Sequence, residues 1–195
     1  WGFVVLSLFT PELIYIFAGQ SNYTDSFYVT PVILLSYVFS GMRLTAQLGM
    51  LLTKNTKNIA WITLGSALIN ILLNLIFIPV YGIIAAAVNT LISFIIFYIV
   101  THLVSNNYYN IPYEISKLIM MITIGCLLTI PIYFMNEIKY EYILIKIFIS
   151  VLFPFLLYIF NFYEKAELEV LTSKEKLFSF IKEIFGINKW KRFYL

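Results

Sequence analysis

Six apolar runs follow one another along 195 residues, separated only by short polar links. They cover roughly residues 1–18, 28–53, 59–78, 82–104, 117–136 and 142–163. A helix needs ~20 predominantly apolar residues to cross ~30 Å of hydrocarbon, and these runs have that length or nearly so. A membrane β-barrel would instead show alternating segments of ~10 residues, and no such alternation is legible. Composition agrees, since only 12% of the residues are charged and 61% are hydrophobic, where a soluble domain carries about a quarter charged. The expected fold is all-α, a polytopic membrane helix bundle of about six transmembrane helices.

Charge in the links sets the expected orientation. Lys54 and Lys57 sit in the link near residue 55, whereas the links near residues 22 and 80 carry neither Lys nor Arg. The tail after Tyr163 holds Lys165, Lys174, Lys176, Lys182, Lys189, Lys191 and Arg192. Cytoplasmic loops collect such residues, so the loops near 55 and 110 and the C-terminus are expected in the cytoplasm. Those near 22, 80 and 139 then face outward. Within the tail, 164–195, Thr172 and Glu175 have capping-box spacing and Gly186 is a suitable stop. A basic amphipathic helix over about 173–185 is expected at the inner membrane surface, drawn to anionic lipid; a partner-docking helix is the alternative.

Several function classes drop out early. Cys126 stands alone in an apolar run, so neither a disulfide framework nor a cysteine metal site is expected. The chain shows no Gly-rich phosphate loop, no paired catalytic carboxylates and no ATP-binding motif. A net charge of +3 does not suggest a nucleic-acid partner. No enzyme activity, cofactor or metal is expected. The chain opens on Trp1, inside an apolar run and without the features of a signal peptide. It therefore reads as the C-terminal piece of a longer membrane protein.

Polar side chains inside the runs carry the functional information, because amide and charged groups in hydrocarbon turn towards protein or water-filled space. In the second run Ser36, Ser40, Arg43 and Gln47 recur at steps of four, three and four, which makes one helical stripe. Arg43 lies eleven residues before Lys54, ~16 Å along a helix axis, too deep to reach either surface with ease. Its planar guanidinium suits a phosphate or carboxylate; a structural tie to backbone carbonyls is the alternative. The third run repeats the pattern with Thr63, Ser66, Asn70 and Asn74, and the fourth carries Asn89 and Ser93 beside Ala85, Ala86 and Ala87. These amides serve equally well as interhelical packing groups or as the lining of a solute path. Pro79, Tyr81 and Gly82 between those runs predict an outward hairpin, with Pro79 ending the third run and Gly82 reversing the chain. Glu12, in the first run, reads as an interfacial carboxylate, with a coupling proton site as the other reading. Lys146 is expected to snorkel to the outer surface, and His102 to be solvated at the cytoplasmic end.

The stretch IAWITLGSALINILLNLIFIPVYGIIAAAVNTLIS (59–93) resembles the signature region of bacterial polysaccharide-biosynthesis membrane proteins. These are the O-antigen and related lipid-linked oligosaccharide flippases of the multidrug, oligosaccharidyl-lipid and polysaccharide exporter superfamily. Asn70, Asn74, Ile78-Pro79, Tyr81-Gly82, Ala86-Ala87, Thr90 and Ser93 carry the likeness, and LFTPELIYIFAGQSNYTDS (8–26) adds to it. The chain has Ala85 where the family commonly has Gly, and Arg43 lies outside those motifs. The resemblance implies most of the C-terminal lobe of a two-lobed alternating-access transporter, completed by an N-terminal half preceding Trp1. It further implies a multi-pass protein of the bacterial cytoplasmic membrane whose substrate is an undecaprenyl-diphosphate-linked oligosaccharide. Membrane lipids and glycan-assembly proteins would be its other partners. Substrate-cavity candidates are Arg43, Gln47, Ser40, Ser36, Asn70, Asn74 and Asn89. A drug or cation antiporter of the same superfamily is the first alternative, and an intramembrane polysaccharide polymerase or ligase the second.

Overall fold

A computed structural model describes residues 1–18, 24–109, 111, 113–134, 140–160, 162 and 163. The described residues form helices α1 (Gly2–Leu8), α2 (Thr10–Ala18), α3 (Thr24–Ala46), α4 (Leu48–Leu52), α5 (Thr56–Asn106), α6 (Ile115–Thr129) and α7 (Tyr140–Ile159). A 3-10 turn, Ile130–Tyr133, continues α6. Among the described residues four stretches are helical, long and apolar enough to cross a membrane: Phe27–Leu52, Thr56–Asn106, Ile115–Tyr133 and Glu141–Ile159. The basic helix expected over 173–185, and the rest of the tail from residue 164, lie outside the described residues.

The first apolar run is two helices rather than one. Pro11 has no N–H to donate to the carbonyl of Ser7 and its ring crowds that carbonyl. The helix accordingly breaks at Phe9 (φ −91°, ψ 10°). The second run breaks once at Gln47, between α3 and α4. Its end is closed by a Schellman motif: Lys54 N–H bonds to the Leu51 carbonyl at 3.0 Å and Asn55 N–H to the Met50 carbonyl at 2.8 Å. Lys54 takes the left-handed conformation (φ 59°) that this motif requires.

The third and fourth runs form α5, and the hairpin prediction needs one correction. Pro79 does not end the helix; the backbone stays helical through Tyr81 and departs only at Gly82 (φ 64°, ψ −143°). That conformation is almost confined to glycine because a Cβ would strain it. A helix accommodates Pro79 by giving up one hydrogen bond and bending, whereas reversal needs Gly82. The two limbs, residues 56–81 and 83–106, then run antiparallel. Hydrogen bonds join Asn74 to Asn89, Asn70 to Ser93 and, near the far end, Asn58 to Tyr108.

The chain divides after Phe153 into two compact units. In the first unit, Trp1–Phe153, α3 packs along α5, α1 lies against α3, α6 and the 3-10 turn, and α4 rests on α5. Val4, Leu8 and Met50 are fully buried there. Gly49 permits the closest approach, for a Cβ on it would lie 2.5 Å from Ser105 Oγ and 2.9 Å from the carbonyl oxygens of Ser105 and Tyr109. Along the first limb of α5, Leu64, Leu68, Leu72, Leu75 and Ile76 are all exposed. So long an apolar face would be a liability in water and is the natural lining towards acyl chains. In the second unit, which starts at Pro154, the described residues carry α7 to Ile159. Phe160 and Phe162 close its end through 3.0 Å backbone bonds to the carbonyls of Leu156 and Leu157.

Candidate functional site

Three polar constellations occupy the first unit. One lies between the limbs of α5. Asn89 Nδ2 donates to Asn74 Oδ1 at 3.1 Å, and Asn74 Nδ2 donates to Asn70 Oδ1 at 3.1 Å. Asn70 Nδ2 donates to Ser93 Oγ at 3.3 Å, and Ser93 Oγ donates to the Asn89 carbonyl at 2.7 Å. These four bonds close a ring that crosses from limb to limb twice. Ser66 Oγ adds a long 3.4 Å contact to the Ser93 carbonyl. Helical spacing explains the assembly: Asn70 and Asn74 are four apart on one limb, Asn89 and Ser93 four apart on the other. Ala85 and Ala87 are both buried in the second limb, where small side chains let helices approach. Asn89 is 4% exposed, while Asn70 and Asn74 are half-buried. The three asparagines named in the sequence thus meet in one network and bond chiefly to one another.

The second constellation is built on α3. Arg43 Nη1 donates to Gln47 Oε1 at 2.9 Å, one turn on. The guanidinium carbon stands 4.5 Å from the centroid of the Phe97 ring on the second limb of α5, an arrangement that favours a cation through the ring quadrupole. Arg43 Nε is buried and has no partner among the described residues. Ser36 is fully buried and its hydroxyl donates to the Ile33 carbonyl of its own helix at 2.6 Å; Ser40 is half-buried. Phe97 also lines a groove of about 300 Å³ between the limbs of α5, with Trp61, Gly65, Ser66 and Ile69. Arg43 therefore covers a residue that belongs to a mainly apolar furrow.

An aromatic series continues from there. Phe39 meets Tyr98 at 6.3 Å between centroids, Tyr98 stacks on His102 at 6.0 Å, and His102 meets Tyr113 at 5.6 Å. The Tyr113 hydroxyl donates to the Thr45 carbonyl at 2.7 Å. Burial first, and the neighbouring Tyr98 second, push the Tyr113 phenol above its ordinary range, which keeps it protonated as that donor. His102 is half-buried between the two rings, with Asn106 Nδ2 3.2 Å from its Nε2 and a buried Nδ1 that has no partner among the described residues. The solvated histidine expected at the end of the fourth run is in fact a packed one.

The third constellation was not foreseen. Lys146 of α7 is fully buried and its Nζ donates to Glu12 Oε1 of α2 at 2.6 Å. The snorkelling expected of Lys146 does not occur, because a carboxylate awaits it inside the protein and an ion pair there replaces water. The Glu12 side chain is 15% exposed, and its other oxygen, Oε2, is buried without a partner among the described residues. Trp1 Nε1 donates to the Ser150 carbonyl at 3.0 Å, and Ser150 Oγ to the Lys146 carbonyl at 2.8 Å, so two further bonds brace the same stretch of α7.

Of the sequence-derived candidates, Asn70, Asn74 and Asn89 come together in the ring, and Arg43 and Gln47 meet at Phe97. Glu12 joins neither group. Lys146 and Phe97 were missed as partners. A signal for the first existed, since Glu12 and Lys146 are opposite charges placed within two turns of the same expected membrane surface. Nothing in the spacing of residues could have singled out Phe97 among so many aromatics. Among the described residues no group of His, Cys, Asp or Glu could hold a metal ion. No family model, no curated protein and no solved structure matches the chain.

Proposed function

We propose that this chain is part of a flippase that moves an undecaprenyl-diphosphate-linked oligosaccharide across the bacterial cytoplasmic membrane for polysaccharide biosynthesis. In this reading six membrane crossings make most of one transporter lobe, with the C-terminus in the cytoplasm, and an N-terminal half supplies the facing lobe. The observation that carries the proposal is Arg43: a guanidinium in the last turn of α3, within the apolar stretch Phe27–Leu52, with Nη1 donating to Gln47 and a buried Nε that has no partner among the described residues. A diphosphate linked to a sugar cannot enter hydrocarbon unaided, since unpaired polar and charged groups cost several kcal/mol or more there. A cation with unspent donors lowers that cost through paired, charge-assisted bonds. Ser40 and Gln47 lie on the same stripe and suit hydroxyl groups. Rocking of the lobes about a site near the midplane would complete the cycle.

The test is replacement of Arg43 in the full-length protein by Ala and by Lys, with surface glycan as the readout. Arg43→Ala should abolish most glycan display while membrane insertion stays normal, and Arg43→Lys should restore only part of it because the paired geometry is lost. Normal display in Arg43→Ala would overturn the proposal. A second reading, an ion-coupled antiporter of the same superfamily, is favoured by the buried carboxylate of Glu12. It predicts cation or drug efflux that is independent of glycan synthesis.

A further inference from the structure

The attachment of α2 differs from that of α1. Whereas α1 packs against α3, α6 and the 3-10 turn, the helix packing of α2 is with α1 and α3. Its outer residues Tyr15, Ile16 and Phe17 are 59%, 71% and 86% exposed. At the junction the chain leaves helical geometry at Phe9, and Pro11 removes one backbone hydrogen bond that would splint it, leaving the 2.8 Å bond from the Thr10 hydroxyl to the Leu6 carbonyl as a bridge. Against this weak joint stands one strong tie, the 2.6 Å bond from Lys146 to Glu12. The tie closes over polar groups: Ser7 and Lys146 are fully buried, Thr10 is 2% exposed and Ser150 6%. Ser7 Oγ and Glu12 Oε2 have no partner among the described residues. Those are groups that water would satisfy if the tie opened.

We propose that Glu12 and Lys146 are the two halves of a latch that holds α2 shut against α7, with the break at Phe9 as its hinge. The geometry explains why the pair is ionic rather than apolar. Removing one charge leaves the other buried and uncompensated, a state far costlier than an intact pair or an apolar replacement of both. The latch is therefore either closed and dry or open and wet, with little in between. α1, wedged among three elements, stays in place while α2 moves. The inference does not depend on which solute the protein handles, because it concerns only the seating of one helix segment.

Cysteine accessibility in the full-length protein tests it, with native cysteines replaced and N-ethylmaleimide as the probe. Thr10→Cys reports on α2 and Ser36→Cys, at a fully buried position of α3, reports on the rest of the bundle. With the pair intact both should be protected. Glu12→Gln keeps the shape and removes the charge, and should speed labelling at position 10 by about a hundredfold, the factor a broken buried pair allows. Position 36 should stay protected. The reversed pair, Glu12→Lys with Lys146→Glu, should restore protection at position 10. Unchanged labelling in Glu12→Gln would overturn the latch, as would failure of the reversed pair to protect. Labelling of both positions in Glu12→Gln would mean general unfolding and would equally refute a hinged segment.

Discussion

Truncating Asn74 to Ala separates a packing role for the amide ring from a solute-facing one. Asn74 occupies the middle of the ring, accepting from Asn89 and donating to Asn70. The substitution deletes both bonds and strands two groups, the Nδ2 of Asn89 and the Oδ1 of Asn70. Asn89 is 4% exposed, so water reaches its orphaned amide poorly. Hydrogen bonds between membrane helices average about 0.6 kcal/mol and rarely exceed about 1.7 kcal/mol, while a stranded buried polar group costs about 1–3 kcal/mol. The bond to Asn70 lies within one limb and Asn70 is half-buried, so its share is the smaller. About 2 kcal/mol is the expected loss. Reversible unfolding of the purified protein in mild detergent would measure it. Since either single truncation opens the same ring, Asn74→Ala and Asn89→Ala should be non-additive: the double variant should fall short of the sum by about 1 kcal/mol, within the range for groups sharing a network. Additive losses, or a loss below about 0.3 kcal/mol for Asn74→Ala, would refute the ring and leave these amides facing a solute path.

Two further substitutions probe the backbone. Gly82→Ala should cost about 1–3 kcal/mol. A Cβ there meets nothing within 4 Å, so the cost comes from φ 64° alone; an unchanged unfolding midpoint would show that the reversal lies elsewhere. Gly49→Ala should cost about 1–3 kcal/mol through crowding, and adding Ser105→Gly should not rescue it. The Ser105 and Tyr109 carbonyl oxygens, both 2.9 Å from the new Cβ, remain. Rescue by Ser105→Gly, seen in the same unfolding assay, would place the clash on the side chain instead.

How far the sequence could be read depended on the range of each interaction. The third and fourth runs were legible because their information is local. Asn70 and Asn74 repeat at helical spacing, Asn89 and Ser93 do the same, and one glycine lies between the pairs, so a hairpin that faces amides with amides follows from the order of residues. The stripe that joined Arg43 to Gln47 was legible for the same reason, and those two side chains do bond. The break at Phe9 was less so, for Pro11 alone does not say whether a helix bends, ends or carries on; Pro79 sits inside a helix and Pro11 beside a break. The pairing of Glu12 with Lys146 was legible only as two opposite charges near one expected membrane surface. Their separation of 134 residues leaves no periodicity to read, and each side chain has an adequate separate explanation at a membrane surface.

The two buried polar devices answer different physical demands, which bears on how the helices can move. A ring of neutral amides satisfies itself within α5 and spreads its energy over four bonds, two of them between the limbs. It suits a pair of limbs that travel together. The ion pair concentrates its energy in one contact between segments far apart in sequence, and desolvation makes the half-broken state the worst of the three. It suits a contact with two states. A hairpin held by distributed amides and a short helix fastened to α7 by a charged contact are what a bundle needs if part of it is to stay rigid while another part opens. Arg43 stands between these extremes, resting on the rigid hairpin through Phe97 while belonging to α3, against which α2 also packs. A displacement of α2 would therefore reach the Arg43 side chain through α3.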